Sequence, residues 1–189
     1  MRQRILMGVF MRVKDALKAR FEYMMSDITT IDDYPTIPFS NNVDPKIYIG
    51  EKNNSGWIAW KPLEKDVIHD FSDIEAELGV NIHESIKEYF NSYWFMELYT
   101  PFGKYNFNMT HVPPNEEFKH VLRNWENAKT YFGTDNLHLT LGRHHQRKTH
   151  DLIINNKTGQ VATFDHDTEK LKIICNDLGD FLYSPLKKL

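Results

Sequence analysis

Five histidines, His138, His144, His145, His150 and His166, crowd into one stretch of the chain. Imidazole can hold a metal or move a proton near neutral pH, and convergence of these rings would make a metal-dependent hydrolase. Their spacing matches no zinc ligand set, and His144 and His145, as neighbours on a strand, would face opposite sides. Asp165 and Asp167 flank His166, an acid–base arrangement if a pocket opened there, with a charged turn as the plainer reading. Cys175 is the only cysteine, so no intramolecular disulfide forms. Ile173, Ile174 and Leu178 beside it suggest an ordinary buried thiol rather than a reactive one. Arg143, Arg147 and Lys148 could touch phosphates, but RHHQRKTH has no aromatic on which a base would stack, and a solvated loop is the simpler account. The chain contains no Gly-rich phosphate loop, G-x-S-x-G, H-E-x-x-H or C-x-x-C. The residues therefore point to no catalytic group, no metal site and no cofactor.

Charge is the stronger signal. The formal net charge of the 189 residues is only −3, which gives no bulk attraction to nucleic acid. Locally it is uneven. Residues 64–88 carry Glu64, Asp66, Asp70, Asp73, Glu75, Glu77, Glu84 and Glu88 against Lys65 and Lys87, whereas residues 1–20 carry six Arg or Lys against Asp15. The six carboxylates from Glu64 to Glu77 are the candidate partner-binding residues, because such an array steers a basic protein into encounter. A solvated helix face is the alternative.

Hydrophobic residues make up 41% of the chain and aromatics 13%, enough to build a core in a single domain. Nothing approaches the ~20 apolar residues of a membrane span. Arg12 and Lys14 interrupt the apolar N-terminus and no small-residue cleavage site follows, so the chain is expected to stay inside the cell. Phe10, Val13, Leu17, Phe21, Met24 and Met25 recur at helical spacing, and DYPTIPFSNNVDP after them reads as loop. KIYIG and GWIAWKP read as strands, the second closed by Pro62. Ser72 or Asp73 would cap a short helix ending at Gly79, and a longer helix from Asn81 would carry Ile82, Ile86, Tyr89, Phe90, Tyr93 and Trp94. YNFNMTHV alternates as a strand. A helix with Pro114 in its first turn would bury Phe118, Val121, Leu122, Trp125 and Ala128 and stop at Gly133. LHLTLG is a strand, DLIINNKTGQVATFD a hairpin around Asn156 to Gly159, and LKIICNDLGDFLYSPL a strand and a short helix. Clustered helices beside hairpin strands make an α+β domain on a mainly antiparallel or mixed sheet.

The helix containing ALKARF, then GWIAWKP, then IEAELGVNIHESIKEYF, resembles the Syd family of the SUKH superfamily. NFNMTHVPPNEEFKHVLRNW, DLIINNKTGQV and NDLGDFL followed by a Pro are similar to its later segments, so the resemblance runs over about residues 13–186. Trp60 and Pro62 fit its Trp-x-Pro at a strand end and serve as structural anchors. The resemblance implies a domain over residues 13–189 after an extension at residues 1–12. It also implies a non-catalytic cytoplasmic protein whose acidic surface binds basic cytosolic loops of the translocon subunit SecY, with only indirect membrane association. Other members of the superfamily are immunity proteins that neutralise toxins by direct binding, which is the alternative for this chain. The extension before Met11, the NNKTGQ turn and the RHHQRKTH run depart from the family's pattern.

Overall fold

Large aromatic side chains set the architecture, because Trp60, Trp125, Tyr89, Phe90, Phe95, Phe107 and Phe181 are all fully buried and one core must accommodate them. The computed structural model describes residues 11–133, 137–147 and 149–188. The extension expected at residues 1–12 lies outside the described residues up to position 10. Met11 packs against the core and Arg12 is the cap residue of the first helix.

That helix, α1 (Val13–Met25), buries Val13, Ala16, Leu17 and Phe21 on one face, as its spacing predicts. The stretch read as loop contains a strand, β1 (Thr36–Pro38), which points Ile37 inward and pairs with β3 (Trp57–Trp60). Its prolines are tolerated because β1 is an edge strand, where missing amide donors cost little. The strand expected over KIYIG is shorter. Pro45–Ile47 forms a single 3-10 turn capped by the Asp44 carboxylate, leaving only β2 (Tyr48–Ile49) to pair with β3. Beyond Pro62 the chain re-enters extended structure as β4 (Leu63–Glu64).

Two helices follow. In α2 (Ser72–Leu78) neither Ser72 nor Asp73 is the cap; Asp70 Oδ1 accepts from the Ser72 amide at 3.0 Å and hydroxyl at 2.6 Å. Gly79 closes the helix at φ +70°, a left-handed backbone that glycine adopts without strain. The next helix, α3 (Glu84–Ser92), ends earlier than predicted. Tyr93 and Trp94 leave it as β5 (Tyr93–Trp94), which pairs with β4, and their β-favouring rings lie buried.

The main sheet has six antiparallel strands in sequential order. They are β6 (Tyr99–Phe102), β7 (Tyr105–Met109), β8 (His138–His144), β9 (His150–Asn155), β10 (Val161–Asp165) and β11 (Lys170–Cys175). The first went unrecognised because Pro101 sits within it, a residue that this edge position accommodates. Between β7 and β8 the chain forms α4 (Glu117–Phe132), so Pro114 precedes the helix rather than lying in its first turn. Every strand pairing among the described residues is antiparallel, which resolves the mixed-sheet option. The domain is α+β, closed by α5 (Leu178–Tyr183). Cys175 is half-buried rather than buried.

Two local contacts hold distant segments together. Asn156, in the β9–β10 turn, accepts from the His83 amide at 2.8 Å and donates to the Asn81 carbonyl at 2.9 Å, fastening the hairpin to the α2–α3 junction. At the other end, α5 lies so close to the entry of α1 that a Cβ on Gly179 would strike the Met11 carbonyl oxygen and stand 2.8 Å from its carbon. Helix propensity alone would make Gly179→Ala stabilising by about 1 kcal/mol. The clash is with backbone, which cannot rotate away, and such overpacking costs about 1–3 kcal/mol. Gly179→Ala is therefore expected to lower the melting temperature by several degrees. A calorimetric melt showing an equal or higher midpoint would remove this contact from the account.

Candidate functional site

The carboxylates of residues 64–88 divide by what they touch. Glu64 pairs with Lys14 of α1 at 2.6 Å, and that ammonium holds its carboxyl below the usual value. Asp70 accepts from Ser72 at the entry to α2, and those hydrogen bonds lower it likewise. Glu75 bonds Lys87 at 2.8 Å and accepts from the Ile82 amide at 2.6 Å, closing the turn between α2 and α3. Glu84 stands 3.5 Å from the same Lys87. Glu88 takes the Arg12 guanidinium at 3.1 Å and the Val13 amide at 3.2 Å, an anion supplied by α3 to the N-terminus of α1. Asp66, Asp73 and Glu77 are exposed and have no ion pair among the described residues.

An open groove of about 620 Å³ lies between the 65–71 segment and α3, with Ile68, Asp70, Glu84, Glu88, Arg12 and Lys87 on its walls. Of the six candidate carboxylates only Asp70 lines it. Glu84 and Glu88 join it from α3, although the candidate set stopped at Glu77. Lys65 contributes no surface charge, because it is buried against Glu117. Among the described residues, Lys87, Arg12 and Lys14 form the ion pairs that oppose these carboxylates at the surface.

The segment forming one wall is pinned from beneath. Glu117, at the start of α4, is only 4% exposed, and its Oε1 receives Lys65 Nζ at 3.0 Å and the Trp94 indole N–H at 3.1 Å. His69 Nε2 stands 2.8 Å from the same oxygen. Burial alone would raise the Glu117 carboxyl. Its own backbone amide, Lys65 and Trp94 outweigh burial and hold it below the usual range. The Asn91 side chain clasps His69, accepting from its amide at 3.0 Å and donating to its carbonyl at 3.1 Å. Phe118 packs edge-on against His69 and Phe71. Trp60 is fully buried at the end of β3, with Pro62 half-buried just after it.

The histidine-rich stretch does not converge. His144 is buried, and its Nδ1 accepts from the amides of Gln146 and Arg147, capping the turn after β8. His145 bonds Asn108, His150 bonds Thr149, and His138 packs on Phe132. His166 turns away from its sequence neighbours toward Asp151, at 3.0 Å, a carboxylate that also accepts from Arg143 Nε at 2.9 Å. Asp165 instead accepts from the Asp167 amide and the Thr168 hydroxyl in a tight turn. Arg143 is thus engaged, Arg147 is exposed, and Lys148 lies outside the described residues. Among the described residues no three His, Cys, Asp or Glu side chains are grouped to hold a metal.

A second histidine pair was not evident in the sequence, because its members lie on different elements. His120 of α4 and His111 after β7 bring their Nε2 atoms to 3.1 Å, and Arg123 approaches His120 Nδ1 at 2.7 Å. A guanidinium can only donate, so His120 Nδ1 accepts, its Nε2 carries the proton, and His111 Nε2 receives it. Burial, then the neighbouring His111 and Arg123, push His120 down to about 4; burial also lowers His111.

The family model of the Syd protein (SUKH-2) matches residues 15–127, more than half of the chain, and the chain belongs to that family. Comparison with curated proteins finds no match. No helix among the described residues is long and apolar enough to cross a membrane.

The histidine pair carries a pH dependence. The folded pKa of His120 lies below the ~6.5 of a free imidazole, so between these values the unfolded chain binds more protons. Stability is expected to fall as pH drops from ~6.5 toward 4, with His120 contributing about 2 kcal/mol of the loss by pH 5. Denaturant melts of wild type and His120→Gln across this range check it. The variant should show the shallower slope; parallel curves would contradict the assignment.

Proposed function

We propose that the chain is a non-catalytic module that binds a basic segment of a partner protein at the surface formed by α2, α3 and the 65–71 segment. The carrying observation is the set of unpaired carboxylates. Asp73 and Glu77 lie four apart on α2, exposed and without an ion-pair partner among the described residues, and like charges so placed cost a helix about 0.2–0.5 kcal/mol. With Asp66 and Asp70 in the segment just before α2, they form a field that a cationic partner would relieve and that would speed its encounter. The turn-capping and packing roles of the histidines support the non-catalytic reading. Family membership supports the basic cytosolic loops of SecY as the partner, with a basic toxin held by an immunity protein as the other class. On this reading the protein works in the cytoplasm and reaches the inner membrane only through its partner.

The structural duties of Glu64, Asp70 and Glu75 make them poor test positions, whereas Asp66, Asp73 and Glu77 have no ion pair among the described residues, and only Asp73, in the first turn of α2, has a small dipole contribution to lose. The triple variant Asp66→Lys, Asp73→Lys, Glu77→Lys is expected to bind peptides of the SecY loops at least tenfold more weakly, about 1.4 kcal/mol. Its melt should stay close to wild type, since exposed changes cost within about 0.5 kcal/mol each. Wild-type association should also slow as salt brings the Debye length below ~10 Å. Equal affinities of variant and wild type, with equal melts, would mean that these carboxylates are only a solvated face.

A further inference from the structure

The acidic groove has an apolar lip that charge alone does not explain. Ile68 is 88% exposed and Val67 45% exposed, in a run whose flanking residues are acidic or pinned. Isolated apolar residues are common on protein surfaces and by themselves need no explanation; the setting of this pair is what matters. Here the backbone on both sides is fixed. Lys65 is buried on Glu117, and His69 is held by Asn91 and packed on Phe118. The chain between them must bulge outward, and Ile68 projects into the groove that Asp70, Glu84 and Glu88 also line. An aliphatic side chain held in water beside carboxylates is arranged to meet a ligand that is both apolar and cationic.

Resting on the acidic-surface reading above, we infer that the segment received here carries an aliphatic residue between its basic ones, and that Ile68, with Val67, is the contact for it. The carboxylates then govern encounter and register, while the apolar contact governs residence, the usual division between steering charges and a desolvated anchor. The same arrangement disfavours a purely polycationic chain, which would leave the apolar lip in water.

Two synthetic peptides of equal length and charge separate the two contributions. One alternates lysine and serine; the other has leucine in place of the central serine. Wild-type protein is expected to bind the leucine peptide about tenfold more tightly, the scale of burying one aliphatic side chain. Ile68→Ser should erase that preference while leaving the serine peptide's affinity unchanged. High salt should weaken both peptides but leave their ratio intact, because burial of apolar surface is not screened. Equal binding of the two peptides by wild type would overturn the inference while leaving the acidic surface standing. A preference that survives Ile68→Ser would overturn it too, by placing the anchor elsewhere. Failure of both peptides to bind wild type would overturn both this inference and the reading on which it rests.

Discussion

Glu117 is a buried carboxylate, and the surface described above is built over it. A charge in that position is tolerated only where donors meet it, and Lys65, just after β4, and Trp94 of β5 both donate to its Oε1. Those strands are two residues each, too short to stay paired by their own hydrogen bonds. What fixes them is the ion pair, together with the Lys46 ammonium 3.4 Å from the Trp94 ring centre. Removing either member of a buried pair typically costs 3–5 kcal/mol, because the other is left uncompensated. The 65–71 segment inherits its position from this cluster, so the groove wall is only as well defined as the bond between Lys65 and Glu117.

The same chain supplies some of the cations that its acidic region attracts. Arg12 and Lys14 sit on Glu88 and Glu64, and Lys87 sits between Glu75 and Glu84. These contacts are mostly exposed, where ion pairs are worth little individually. They serve geometry more than stability, since Glu88 satisfies the first turn of α1 and Glu75 satisfies the amide that starts the approach to α3. The carboxylates left over, Asp66, Asp73 and Glu77, are those with no such duty. That separation lets the surface present negative charge at only the small cost of the Asp73–Glu77 repulsion on α2.

Much of the fold was legible because local periodicity reflects burial. The faces of α1 and α4, the β9–β10 hairpin and the closing strand and helix all follow from apolar spacing and turn residues. Where the reading failed, tertiary pairing overrode local pattern. TIP became a strand because GWIAW lies beside it. Tyr93 and Trp94 left their helix because Leu63 and Glu64 offered a ladder and Glu117 an acceptor for the indole. The acidic character of residues 64–88 was plain in the sequence, but its division of labour was not. Which carboxylates are engaged depends on cations up to 76 residues away, as with Arg12 and Glu88. Nor could DVIHD disclose that Ile68 faces water, since that depends on Asn91 and Phe118 holding its neighbour.

The central claim is that a partner docks on the surface formed by α2, α3 and the 65–71 segment. Hydrogen–deuterium exchange of the full chain, alone and bound to the protein that co-purifies with it from its own cells, tests this without presuming the partner's identity. The account predicts new protection in residues 65–71, in Ser72–Leu78 and along Glu84–Ser92, with little change in β9 to β11. Protection confined to residues 165–180, with the groove segments exchanging as in the free protein, would contradict it.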